Sequence, residues 1–199
     1  MEKSRNYVVF GVLALVVSLV AVSLAYAGFT QTLNINGTAS IKTASWDVHF
    51  ANLANKSLST GASWVTEPAI QANTTQIGDY SVTFNTPGQT ASFEFDVVNT
   101  GSFNAKLTGL TVGTPTCSGD ANFLCNQITY VLTKKGSSTP ITAADNSTLA
   151  AHSGSQTYVL TLTYVDNGNS NVLPSTDVSI SGLGVQFTYS QDGNFVPAS

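Results

Sequence analysis

The side chains best suited to chemistry in this chain are few and far apart. There are two histidines. His49 lies two residues from Asp47, so a strand would set the pair on one face, and His152 falls in a polar stretch. A zinc site takes four ligands, or three and a water, and no H-E-x-x-H run is present. Both histidines therefore read as surface residues. Glu94 and Asp96 share a strand face. That spacing suits paired acid–base carboxylates, but it is also the ordinary look of a strand's solvent side. Neither a G-x-S-x-G elbow nor a Cys–His spacing occurs. The stretch from Asp166 to Asn171 offers oxygen ligands at alternating positions. It lacks the distal bidentate Glu of a calcium loop, and Asn167-Gly168 is an ordinary turn pair. The expectation is a protein that is not an enzyme and holds no metal and no cofactor.

The charge balance narrows the partners. Charged residues make up only 9% of the 199 residues, and the formal net charge is −4. After the first 27 residues, five lysines face ten acids. Nucleic-acid binding needs clustered Lys and Arg to neutralise phosphates, so nucleic acid is not an expected partner. Nor is there an electrostatic route to anionic lipid. Solubility has to come from Thr, Ser, Asn and Gln, and Thr and Val also favour strands. Asn36, Asn55, Asn73 and Asn146 each begin an N-x-S/T triplet, which matters only in a host that glycosylates.

The N-terminus supplies a compartment. Lys3 and Arg5 precede 21 uncharged residues, Tyr7 to Ala27, that end in Ala25-Tyr26-Ala27. A positive flank, an apolar run and a small-x-small site make an export signal, here a hydrophobic helix spanning 1–27. The run is also long enough to cross a bilayer. Two readings stay open: cleavage between Ala27 and Gly28, or retention as an anchor. Membrane contact is expected only through this segment before cleavage. In an oxidising compartment Cys117 and Cys125 are expected to pair as one disulfide, with two separate buried thiols as the alternative.

These residues must be positioned by strands, because no helical period of convincing length follows residue 27. Gly28–Asn36 alternates Phe29, Gln31, Leu33 and Ile35 against Thr30, Thr32, Asn34 and Asn36. Cleavage would free its front end. Trp46, Val48 and Phe50 then alternate against Asp47 and His49. Further runs are Ser81–Phe84, Phe93–Val97, Ala105–Val112, Ile128–Thr133, Tyr158–Tyr164, Val178–Ile180 and Leu183–Tyr189. Thr86-Pro87-Gly88-Gln89 reads as a turn, with Pro fixing φ and Gly supplying a positive φ. Thr114–Asn126 reads as a loop holding both cysteines, and Leu149 as a plug at the core edge. Ser57–Gln76 reads as a long loop or a short helix, packed by Trp64. About eight short strands with regular turns predict an antiparallel β-sandwich, immunoglobulin-like or jelly-roll-like. One domain, 28–199, follows the signal.

Three pieces together resemble the TasA/camelysin-like family of exported surface and biofilm-matrix proteins. They are the Ala25-Tyr26-Ala27-Gly28-Phe29 junction; Gly37-Thr38-Ala39 with Ser40-Ile41 and Trp46-Asp47-Val48; and Pro87-Gly88-Gln89 through Phe93-x-Phe95 to Asn99-Thr100-Gly101-Ser102. Val185-Gln186-Phe187-Thr188-Tyr189 is similar to the family's last strand. The resemblance implies a sandwich domain and, in some members, fibres in which the N-terminal strand of one subunit completes the sheet of the next. An unblunted strand edge presents free N–H and C=O groups that another strand can satisfy. A head-to-tail contact of that kind gives an open filament when its rotation does not close.

The expected function is an exported structural subunit of an extracellular fibre, pilus-like filament or biofilm matrix. Its partners are further copies of itself and a signal peptidase during export. Phe29, Gln31, Leu33 and Ile35 form the expected donor row, the alternative being that Gly28–Asn36 folds back as the first strand of its own domain. The competing reading is a membrane-anchored monomeric surface domain that binds a glycan or a protein, and a secreted hydrolase is a distant third.

Overall fold

The structure is a computed structural model that describes residues 15–16, 43–168 and 172–193. The chain divides into two compact units, Met1–Lys42 and Thr43–Ser199. In the first, only Leu15 and Val16 are described, and they are helical. Ala25, Ala27 and Gly28 at the expected cleavage site lie outside the described residues, as do Phe29, Gln31, Leu33 and Ile35 of the expected donor strand. Among the described residues no helix is long and apolar enough to cross a membrane.

The second unit is all-β and antiparallel, as the alternating runs predict. Its strands are β1 (Val48–Leu58), β2 (Ser63–Thr66), β3 (Ser81–Thr83), β4 (Thr90–Asn99), β5 (Asn104–Val112), β6 (Thr116–Ser118), β7 (Ile128–Lys134), β8 (Thr148–Leu149), β9 (Gly154–Tyr164), β10 (Ser179–Ser181) and β11 (Val185–Asp192). The largest sheet has the order β1-β4-β9-β7, and a second has the order β11-β5-β8. Two ribbons, β10-β6 and β2-β3, complete the set. The arrangement is sandwich-like, with one shared core.

That core comes from strict alternation. Phe93, Phe95 and Val97 of β4 and Tyr158, Leu160, Leu162 and Tyr164 of β9 are buried, while their neighbours along each strand are not. Full burial of one such side chain contributes about 1.5–3 kcal/mol, so these two strands dominate the unit's stability. The second sheet supplies Ala105 and Leu107 from β5, Leu149 from β8 and the half-buried Phe187 of β11. Phe187 stands 5.0 Å from Tyr158 and 6.0 Å from Phe95, ring centre to ring centre. Leu149 is the plug expected of it.

Two stretches differ from expectation. Ser57–Gln76 is neither a plain loop nor a helix. It continues β1 to Leu58, contains β2, and closes with an Ile70–Ile77 bridge. Two single residues inserted into β1 just before it, between Ala51 and Ser57, break the alternation that leads into it. Trp64 does pack against the core, 6.2 Å from Tyr80. Thr114–Asn126 holds β6 and leads into a 3-10 turn, Cys125–Gln127. The Pro87-Gly88 turn is present, and Gly88 has φ of 87°, a conformation that disfavours a side chain.

Buried amides fasten the loops. Asn99 is fully buried, and its Nδ2 donates to the carbonyls of Phe103, Leu149 and Ala150 while its Oδ1 accepts from Gly101 N–H. The Gln127 amide exchanges two hydrogen bonds with the Val172 backbone. Gln89 Oε1 accepts from Asn85 and Thr86 N–H, and its Nε2 donates to Thr60 O. A buried amide persists only when satisfied in this way.

Candidate functional site

The candidate chemical groups are held in structural bonds. His49 Nδ1 lies 2.9 Å from Asp47 Oδ1, and the Thr100 hydroxyl donates to the other Asp47 oxygen. These bonds, Thr100 first and His49 second, hold the Asp47 carboxyl below its ordinary range. Glu94 accepts from Lys135 Nζ at 2.8 Å and from Asn55 Nδ2 at 2.6 Å. Asp96 accepts from Asn52 Nδ2 at 2.8 Å and from the Thr157 hydroxyl at 2.6 Å. Asp166 Oδ1 accepts from Gly168 N–H at 2.8 Å, as in a turn. Among the described residues no group of three or more His, Cys, Asp or Glu is placed to hold a metal ion. Cys117 and Cys125 are disulfide-bonded, with Cα atoms 5.5 Å apart.

The open feature of the unit is a sheet edge. Each edge of the two main sheets can be followed in turn. At β7, Pro140 bridges Thr133 and Ile141 N–H donates to Leu132 O. At β5, β8 covers one end and Leu107 N–H donates to Ser147 O. At β1, two bulges interrupt the register with β4, between Ala51 and Ala54 and between Ala54 and Ser57. Asn52 and Asn55 take φ of 50° and 49° there, and Phe50 N–H is occupied by Thr74 O. Bulges bend an edge away from further pairing. β11 has no bridging segment on its outer side, and the one register shift in its ladder, between Thr188 and Tyr189, places the extra residue, Thr108, on β5. It pairs with β5 on one side, and its other side has no strand partner among the described residues. Its only ionisable acid is Asp192, at the very end.

Beside that free edge the two sheets do not close on each other. A groove runs between β11 and β1. Its wider part, about 580 Å³, reaches the core rings of Phe93 and Phe95 and is bounded by Tyr80, Tyr130, Leu183 and Val185. Its narrower part, about 180 Å³, lies among Trp46, Val48, Phe50, Val97, Phe187 and Tyr189. Val185, Phe187 and Tyr189 alternate toward the core, yet all three are only half-buried. Rings that stay half-exposed along one seam leave apolar area that another strand would remove from water.

The wall of the wider part is tightly built. Gly182 has φ of 79°, and a Cβ there would meet Thr114 O at 2.3 Å. Gly113 N–H donates to Gly184 O at 2.7 Å. The Tyr80 hydroxyl donates to Tyr130 Oη at 3.0 Å, and the Tyr130 hydroxyl donates to Leu183 O at 2.8 Å. Burial pushes Tyr130 up to about 12 and Tyr80 higher still, so both phenols are neutral donors at ordinary pH. Ile180 of β10 pairs with Cys117 of β6, and the disulfide ties β6 to the turn before β7.

The Leu183–Tyr189 row was visible in the sequence. Tyr80, Tyr130 and Gly182 were not, because only the fold brings residues 50 or more positions apart to one hydrogen-bond chain. The bulges carried one faint signal, the repeat Ala51-Asn52-Leu53-Ala54-Asn55-Lys56 with Asn every third residue. Comparison with known proteins finds no match: no family model, no curated sequence and no solved structure is similar to this chain.

Proposed function

We propose that this chain is an exported, non-enzymatic structural subunit of an extracellular fibre, pilus-like filament or biofilm matrix. Gly28–Asn36 of one copy adds to the sheet of the next. In this reading the main sheets are two layers of an immunoglobulin-like or jelly-roll-like sandwich that is closed by a strand from outside. The single observation that carries the reading is the open β11 edge beside a groove lined by core aromatics.

The candidate occupant suits that edge. It has nine residues against eight in β11, no charge and no proline. Phe29, Leu33 and Ile35 supply apolar side chains on one face for the groove. Thr30, Thr32 and Asn34 would continue the exposed polar row of Gln186, Thr188 and Ser190. The resemblance to the TasA/camelysin-like family supports the same reading, as does the export signal with its Ala25-Tyr26-Ala27 ending. Signal peptidase cleavage would release the strand, so export gates assembly outside the cell.

The test is negative-stain electron microscopy of Gly28–Ser199 beside a version that starts at Gly37. Fibres from the first and none from the second are expected. Stable monomers from both would end the fibre reading and favour a surface domain.

A further inference from the structure

We infer that the joining strand runs parallel to β11, with Phe29 beside Leu183 at the wide end of the groove and Ile35 beside Tyr189 at the narrow end. This rests on the strand-joining reading above and adds a direction and a register to it.

Spacing comes first. Phe29, Gln31, Leu33 and Ile35 cover about 20 Å in an extended strand. Leu183, Val185, Phe187 and Tyr189 repeat at the same interval, so four rows meet four rows. Two directions satisfy that match, and size separates them. The groove is about 580 Å³ where Leu183 and Val185 lie and about 180 Å³ where Tyr189 lies, with Phe187 lining both parts. A parallel strand sets Phe29, the largest donor side chain, in the wide part, and Leu33 and Ile35 in the narrow part. An antiparallel strand would put Phe29 into the narrow part and leave the wide part to Leu33 and Ile35.

Polarity separates the two directions again. Gln31 is the one polar member of the donor row. Parallel placement sets it beside Val185, in the part that also holds the Tyr80 and Tyr130 hydroxyls and Ser181. Tyr80 Oη donates to Tyr130 and keeps lone pairs that can accept from an amide. Antiparallel placement sets Gln31 beside Phe187, which lines both parts, near Phe50, Val97 and Phe95, where the polar side chains of the narrow part are Thr75 and His49. An amide there lacks the pair of buried phenol hydroxyls that the wide part offers, and a buried amide is favoured where more partners meet it. Because the strand arrives from another copy, no crossover connection is needed for parallel pairing.

The experiment uses the full-length chain, exported and recovered from the host's surface or medium. Two double variants share one acceptor position on the exposed face, so the apolar row stays intact. Asn34→Cys with Thr188→Cys reports the parallel register, and Thr30→Cys with Thr188→Cys reports the antiparallel one. After mild oxidation, non-reducing electrophoresis should show a ladder of covalent multimers from the first variant and none from the second. A ladder from the second alone overturns the direction and leaves strand joining in place. Fibres that ladder in neither variant place the joint away from β11 and overturn the register. Soluble monomers from the variants and from the unmodified chain overturn strand joining itself.

Discussion

β1 and β11 are the two edges that flank the groove, and the chain treats them in opposite ways. β1 carries two bulges, each with an asparagine in the left-handed region. Each of those side chains reaches across to an acid of β4, Asn52 to Asp96 and Asn55 to Glu94. Lys56 adds a charge that pairs with Glu67 at 2.8 Å. β11 has no strand on its outer side among the described residues, its ladder with β5 shifts once, at Thr188/Tyr189, and its alternating apolar row is half-covered. Charges, bulges and bends are how natural sheets discourage edge-to-edge pairing. A chain that blunts one edge and leaves its neighbour bare has an edge in reserve. On the proposed reading, the difference gives assembly a direction, with β11 as the accepting edge.

The comparison breaks most sharply on a charge. Val185→Lys on β11 should abolish fibres in electron micrographs, while Ala54→Lys on β1 leaves them intact. The reverse outcome would make β1 the joining edge. Next in size is the disulfide. It closes a short loop, Cys117 to Cys125, with a sequence separation of 8, and chain-entropy arguments give such a closure roughly 2.5 kcal/mol. Replacing both cysteines with serine should lower unfolding stability by about that amount in urea titrations. Fibre yield should fall as well, because β6 carries the β10 wall of the groove.

A pH titration sharpens the groove side. Tyr80 and Tyr130 have pKa values raised by burial. Their neutral forms favour the fold, so that contribution is whole below the unfolded value near 10. It is lost as pH rises from there toward about 12 for Tyr130, at a rate of at most about 1.4 kcal/mol per pH unit for each group. Thermal melting between pH 9 and about 12 should show the decline, and Tyr130→Phe should make it shallower. The smallest effect belongs to β1. Asn55→Ala should cost about 1–2 kcal/mol, from a side chain in the left-handed region and a lost hydrogen bond. Asn55→Gly should cost less, since glycine adopts that φ freely. Equal losses in urea titrations would mean that the bond to Glu94, not the backbone conformation, sets the bulge.

How much of this was legible depended on the range of the interaction. The row Phe93, Phe95, Val97 and the row Tyr158 to Tyr164 announce themselves, because a buried strand writes a period of two into the sequence. The turn at Pro87-Gly88 was equally plain, while the cysteine pairing was expected from the export signal and decided by the structure. β1 beyond Ala51 was not, since each bulge adds a residue and resets the period. The Asn99 side chain looked like the end of a strand. Its fourfold bonding depends on Phe103, Leu149 and Ala150, which the fold alone assembles.

The sequence by itself determined the strand class, the core rows and the sparse charge, all of which follow from local alternation and composition. It could not say which edges are left bare. An edge exists only relative to the strands that fail to cover it, and β11 lies between β5 on one side and a groove on the other because of pairings made 80 residues apart. That long-range geometry, not any motif, turned an ordinary last strand into the candidate site.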